Sequence, residues 1–332
     1  MKILLYKEDY ELVKDSGVGK AIVHQERALQ AAGVHYTTDV HDTFDLVHIN
    51  TVLPKTKAFV RRIKSQVPVV IHAHSTMEDF KDSFMFSNQV APLFKHWLIH
   101  HYNQADRLIT PTNYAKSILE SYKLRPKITV VSNGIDLNFW KTQEGDREKF
   151  DAIYHTAGKK VVISVGLYIK RKGILDFVNM AKAFPDVEFI WFGYTNPNLL
   201  PPDIKQAVQT QLANLQFPGY VSSEDLRLAY SSCDLYVFPT YEETEGIVLL
   251  EALATDARVL LRDIPIYREL QDGVHVYKAK DAQAFHDKLA AFLAGKLPPT
   301  EYAGHELVAD KSIEAVGAQL KTIYQEVLDD WH

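Results

Sequence analysis

Cysteine is nearly missing from this 332-residue chain: Cys233 stands alone. One thiol excludes an internal disulfide and a cysteine-built metal cluster, which suits a reducing compartment and leaves Cys233 as a small core residue. Long apolar runs are missing too. No eighteen consecutive apolar residues occur, so nothing reads as a membrane span. The opening MKILLYKED turns acidic within a few residues and has no small-residue cleavage site, which predicts a first strand and a cytoplasmic location. There is no internal repeat, no low-complexity tract and no Asp-any-Asp triplet in a strand-end loop. A large net charge is also absent. The total is −5, divided as +3 over residues 1–150 (20 Lys and Arg against 17 Asp and Glu) and −8 over 151–332 (17 against 25). That balance excludes a bulk nucleic-acid binder and leaves room for a basic surface on the first half.

What the chain does have is alternation. KILLY (2–6), DLVHIN (45–50), VPVVIHAH (67–74), RLITPT (107–112) and ITVVSNG (128–134) are short apolar runs separated by helical stretches. The pattern restarts with KVVISVG (160–166), VEFIWFG (187–193), DLYVFPT (234–240) and ARVLLRD (257–263). Continuous apolar strands alternating with helices indicate parallel sheets covered on both faces. The expected fold is therefore α/β, with two doubly wound Rossmann-like domains, 1–150 and 151–332, facing a central cleft. The boundary is expected between Phe139 and Lys160, where KTQEGDREKF is charged and has no strand pattern. Ile313, Val316, Leu320, Ile323 and Val327 fall at helical spacing and predict a C-terminal amphipathic helix, free to pack back on the first domain.

In open parallel sheets, ligands collect at the carboxyl ends of the strands. Three strand-end segments carry chemistry. DSGVGKA (15–21) places Gly17 and Gly19 before a helix, where backbone amides can approach a phosphate; alone, such a segment is more often only a turn. VGLYIKRKG (165–173) brings Lys170, Arg171 and Lys172 to the end of a buried strand, which suits a diphosphate or a solvated basic loop. PTYEETEGIVLLEALA (239–254) sets Glu242, Glu243 and Glu245 before a glycine, and Glu251 inside an apolar helix. A carboxylate in such a helix needs hydrogen-bond donors, and the vicinal hydroxyls of a ribose supply them.

Glu243 and Glu251 are eight positions apart, and here the chain resembles the retaining nucleotide-sugar glycosyltransferases of family four, which have two Rossmann-like domains in the arrangement called GT-B. The glycine loop, the His after VVIHA, the SNGID turn at 132–136 and the basic loop ending in Lys-Gly extend the likeness over nearly the whole chain. The resemblance implies that Glu251 holds the ribose of a uridine nucleotide and that Glu243 faces the donor sugar at the reacting carbon. It implies that Arg171 and Lys172 neutralise the diphosphate, that Gly17 and Gly19 cover it from the other domain, and that His74 touches the donor sugar or lies beside the acceptor. It implies a UDP-hexose donor, retention at the anomeric carbon, and no cofactor or metal. One departure is Leu167, where many family members carry an arginine, so the phosphate charge falls to Arg171 with Lys172, or to Lys170.

Two further stretches suggest a lipid acceptor at an anionic membrane surface. LPKTKAFVRRIKSQ (53–66) carries Lys55, Lys57, Arg61, Arg62 and Lys64 with no acid, and Ala58, Phe59 and Ile63 as its expected apolar side. FKDSFMFSNQVAPLFKHWLIHHYNQ (80–104) includes Phe84, Phe86 and Trp97 as candidate acyl-chain or headgroup contacts. A core helix beside an ordinary basic helix is the plain alternative for both. SFMFSNQVAPLFK, HAHSTMEDF, VSNGIDL and LLRDIPIY further resemble the enzymes of Gram-positive lactic bacteria that extend glucosyl-diacylglycerol for the lipoteichoic acid anchor. That likeness implies galactose transfer from UDP-galactose to α-glucosyl-diacylglycerol by a peripheral enzyme on the inner face of the membrane. The alternatives are glucose transfer to diacylglycerol or to a soluble or polysaccharide acceptor, a UDP-sugar epimerase, and a non-catalytic nucleotide-sugar-binding protein.

Overall fold

In the computed structural model, which describes residues 1–7, 10–83 and 87–331, every sheet pairing is parallel. The first sheet comprises β1 (Lys2–Leu5), β2 (His35–Thr37), β3 (Leu46–Ile49), β4 (Val69–His72), β5 (Arg107–Thr110) and β6 (Lys127–Val130), in the order β2-β1-β3-β4-β5-β6. The second comprises β7 (Lys160–Val165), β8 (Val187–Phe192), β9 (Leu215–Gly219), β10 (Leu235–Phe238), β11 (Val259–Arg262) and β12 (Tyr277–Ala279), in the order β12-β11-β10-β7-β8-β9. The predicted runs all became strands. β2, β9 and β12 were not predicted. All three lie at sheet edges, where half the backbone is unpaired and the apolar demand is low; β9 even accommodates Pro218.

The first-half helices are α1 (Gly17–Ala31), α2 (Pro54–Ile63), α3 (Met77–Phe80), α4 (Ser87–Tyr102), α5 (Asn113–Ser121) and α6 (Asp146–Tyr154). The others are α7 (Ile174–Ala183), α8 (Pro202–Val208), α9 (Ser223–Ser232), α10 (Ile247–Ala254), α11 (Ala282–Leu293), α12 (Glu301–Glu306) and α13 (Ile313–Asp330). The charged segment between the sheets holds α6. Its buried Asp146 receives both guanidinium nitrogens of Arg227, at 2.6 and 3.0 Å, and thereby ties α6 to α9. The chain then returns: Ile135 and Ser312 form a parallel bridge, and α13 packs along α1 over the first sheet. Gly317 permits that approach, because a Cβ there would lie 2.2 Å from the Ala28 carbonyl oxygen.

In the second sheet the strand order reverses between β7 and β10, which are neighbours although β8 and β9 intervene in the chain. The crevice at such a reversal is where an open parallel sheet receives a ligand. The loops leaving it are 166–173 and 239–246, the two that carry the predicted basic and acidic residues. The first sheet reverses between β1 and β3, so the loops after β1, β3 and β4 face them.

Candidate active site

Gly17, His74, Arg171, Lys172 and Glu243 line one interdomain cavity of about 360 Å³. Glu251 lines an adjoining cavity of about 260 Å³, with Gly19, Trp140 and Tyr220. Lys20 and Tyr220 belong to both. Lys170 is exposed and lines neither, so of the three loop cations only Arg171 and Lys172 face the cleft. Leu167 lines the larger cavity.

The acidic loop is held by its termini. Gly246 has φ +86°, and a Cβ there would meet the Tyr267 hydroxyl at 2.8 Å, so glycine is required for the turn into α10. Glu243 is buried; it accepts from Thr240 Oγ1 at 2.9 Å and pairs with Lys172 Nζ, while Arg171 stands 3.7 Å away. Burial alone would raise its pKa, but Lys172 and Arg171 together hold the carboxyl below its usual range, so it is ionised. Arg171 also pairs with Asp79 of α3 at 3.0 Å, donates to the Glu242 carbonyl at 2.7 Å and donates through Nε to Ser83 at 3.0 Å. The contacts to Asp79 and Ser83 join the two domains. Glu251 is fully buried in α10, as expected, with Lys20 Nζ at 2.8 Å and the Tyr230 hydroxyl at 3.2 Å.

His74 is buried at the cavity wall and stacks on His72 at 4.2 Å. Its Nε2 lies 2.8 Å from Asn50 Oδ1, and an amide oxygen only accepts, so Nε2 carries the proton. Gln25 and Asn50 exchange hydrogen bonds of 2.9 and 2.7 Å, and Gln25 donates to His72 Nδ1 at 2.7 Å. Burial pushes His74 down to about 3, so it is a neutral group in the cleft. The sequence offered no sign of Asp79, Asn50, Gln25 or Lys20 as site residues, because their partners lie far along the chain and follow no periodicity. Position gave one clue: Asp79 and Asn50 both follow first-sheet strands.

The glycine loop acts in two ways. Ser16 caps α1 by accepting from the Gly19 amide, and Gly17 opens onto the cavity. A Cβ at Gly19 would lie 2.3 Å from the Val13 carbonyl oxygen, so this glycine seats the helix on the preceding loop.

The basic helix requires a correction. Phe59 and Val60 of α2 face the core, where Phe59 stacks on Tyr6 at 4.4 Å, while Ala58 is exposed. Of the predicted apolar side, Phe59 and the half-buried Ile63 therefore cover the first sheet rather than a membrane. Lys55, Arg61, Arg62 and Lys64 remain exposed on the opposite side. Lys57 Nζ sits 3.7 Å over the Trp97 ring, whose indole donates to the Val52 carbonyl at 2.8 Å, so Trp97 is packed in place. Phe84 and Phe86 lie outside the described residues. Phe80 and Phe94 stack at 4.3 Å on the cavity wall, and Val90 and Leu93 of α4 are exposed beside them in the chain. Among the described residues no helix is long and apolar enough to cross a membrane, and no three His, Cys, Asp or Glu side chains are grouped to hold a metal ion.

Residues 39–139 match the Glycosyltransferase Family 4 domain, and residues 146–304 match the glycosyl transferases group 1 domain. The processive diacylglycerol alpha-glucosyltransferase of Acholeplasma laidlawii is 40% identical over 331 residues, 99% of each chain. The alpha-galactosylglucosyldiacylglycerol synthase of Streptococcus pneumoniae is 25% identical over 276 residues, 81% of this chain and 70% of that one. Among solved structures, sucrose-phosphate synthase from Thermosynechococcus elongatus superposes with a TM-score of 0.83 at 17% identity, over 99% of this chain and 100% of that one. Anabaena HepE in complex with UDP and glucose gives 0.78 at 16% identity, over 98% and 100%. Both share the GT-B fold. With two family domains in tandem on that fold and a 40% identical relative matched end to end, the chain belongs to the family four, group 1 glycosyltransferases.

Proposed function

We propose that the protein transfers glucose from UDP-glucose to a diacylglycerol-based lipid, with retention at the anomeric carbon. The observation that carries the reaction type is the cleft itself. Arg171 and Lys172 converge beside the ionised Glu243, and Glu251 lines an adjoining cavity that shares Lys20 and Tyr220 with the first. In this reading Glu251 accepts from the ribose hydroxyls, and Arg171 and Lys172 stabilise the departing diphosphate. The anomeric C–O bond breaks and its electrons leave with the phosphate. Glu243 steadies the positive charge left on the sugar, the acceptor hydroxyl bonds to the same face, and its proton passes to the leaving phosphate oxygen. His74, neutral and fixed by Asn50, offers Nδ1 as an acceptor for a sugar hydroxyl. Turnover is expected to proceed without added metal and to be unchanged by EDTA.

Glucose as donor and diacylglycerol as acceptor are favoured by the name of the 40% identical relative. Phe80 and Phe94 at the cavity wall and the exposed Val90 and Leu93 fit an acyl-bearing acceptor, and the cations of α2 fit anionic headgroups. A second reading, galactose transfer to α-glucosyl-diacylglycerol, is favoured by the Streptococcus relative. Radiolabel transfer from UDP-glucose and from UDP-galactose into vesicles holding diacylglycerol or glucosyl-diacylglycerol separates them. Glucose label in lipid is expected; galactose label only with the glucosylated acceptor selects the second reading. Sugar consumed without labelled lipid indicates a soluble acceptor or an epimerase, and nucleotide binding without turnover indicates a non-catalytic protein.

A further inference from the structure

Lys20 occupies the first turn of α1, and its side chain crosses from the first domain to the second to reach Glu251 Oε1 at 2.8 Å. Its side chain keeps 23% of its surface exposed, whereas that of Glu251 keeps 1%. The other carboxylate oxygen already accepts from Tyr230. Both oxygens thus have protein partners, which a fully buried carboxylate requires. Lys20 thereby takes up acceptor capacity of Glu251 that ribose hydroxyls would need. Lys20 lines both the cavity of Lys172 and Glu243 and the cavity of Glu251, so the ion pair stands between two compartments that one UDP-sugar must span.

We propose that Lys20 is a stand-in for the nucleotide: it neutralises Glu251 while the cleft is empty, and donor binding breaks that pair, gives Glu251 the ribose hydroxyls and passes the Lys20 ammonium to the diphosphate. The proposal rests on the assignment of Glu251 to the ribose. Two features make the transfer short. Lys20 follows the glycine turn whose Gly17 opens onto the larger cavity, and the N-terminus of the fifteen-residue α1 favours an anion at the same place. Gly19 pins the first turn against Val13, so the lysine stem starts from a fixed point and only its flexible end moves. The exchange leaves neither group without hydrogen-bond partners: Glu251 trades an ammonium for two hydroxyl donors beside Tyr230, and Lys20 trades a carboxylate for a phosphate. Domain closure without donor and domain closure with donor then use the same lysine.

Uridine and UDP separate the two halves of the proposal, because uridine must displace Lys20 but has no phosphate to receive it. Equilibrium titration of the full chain is expected to show Lys20→Met binding uridine about threefold tighter than wild type, the size of a partly exposed ion pair. The same variant is expected to bind UDP about tenfold more weakly, for loss of a charge-assisted phosphate contact. Lys20→Gln gives the same directions with smaller changes should the methionine variant be unstable. Uridine affinity that is unchanged or lower in both variants would show that Lys20 does not compete with the nucleoside. UDP affinity that rises along with that of uridine would show that the lysine does not pass to the phosphates. Uridine affinity unaffected by Glu251→Gln would instead remove the ribose assignment beneath the proposal.

Discussion

Glu243 and Lys172 neutralise each other in a place where neither is solvated, and this makes substitution at the pair informative. Lys172→Met would leave a buried carboxylate with Arg171 at 3.7 Å and Thr240 as its remaining partners. The expected cost is about 3 kcal/mol of stability and about a hundredfold or more in turnover. Adding Glu243→Gln should return most of the stability and none of the turnover. Urea unfolding and initial-rate assays on the single and double variants check both, and a double variant with restored turnover would remove the pair from the chemistry. The residues of this pair were legible in the sequence because each closes a buried strand and the glutamates keep a recognisable spacing. Asp79 and Lys20 were not legible, since a cross-domain contact leaves no local signature, nor was Asn50, whose partners Gln25 and His74 lie more than twenty residues away. The two acids beside the pair proved structural: Glu245 accepts from Ser132 Oγ at 2.6 Å and the Asn133 amide at 2.9 Å, and Glu242 accepts from Tyr114 at 3.1 Å.

At the scale of elements, the buried strands declared themselves through runs of β-branched and aromatic residues, whereas the edge strands β2, β9 and β12 did not. The helix α2 shows the limit of reading amphipathicity from one face. Its cations and its apolar residues were both real, but the apolar ones were already committed to the first sheet. What remains is a surface of charge alone, which binds anionic lipid more weakly and with greater salt dependence than an inserted helix. Reversing Arg61, Arg62 and Lys64 to glutamate is expected to lower binding to vesicles containing phosphatidylglycerol by about a hundredfold or more, at about 1 kcal/mol per removed charge, with UDP affinity unchanged. Co-sedimentation at low and physiological salt tests this, and undiminished binding would move the lipid contact to α4.

For the whole molecule, the histidines control the response to acid. Burial holds His48 and His74 down to about 3 and His101 to about 4, and lowers His72 and His24 from 6.5. Below 6.5 the unfolded chain takes up protons that the fold refuses, so this stability is present above 6.5 and is lost as pH falls toward the folded values. Glu242 and Glu245 act oppositely: burial raises both from 4.5 to about 7, and their contribution is lost as pH rises through that range. Asp79 and Asp106, which burial raises from 3.8, act in the same sense as these two glutamates, and five groups against four leave the net sign to the histidines. The urea midpoint is therefore expected to be lower at about pH 5 than at about pH 7.5, and a midpoint that rises on acidification would mean the histidines are not buried as a neutral cluster.

The return of α13 to the first domain also bears on how the protein is made. The face of the first sheet that α13 covers includes Ile3, Leu46 and Val70, residues that leave the ribosome early, whereas their cover is translated only after the entire second sheet. Until then the first domain exposes an apolar strip beside α1. The second domain, flanked by both crossings of the chain, can complete its own sheet in the interval. The order of synthesis and the order of completion are thus reversed, and the half that emerges first is the last to be finished.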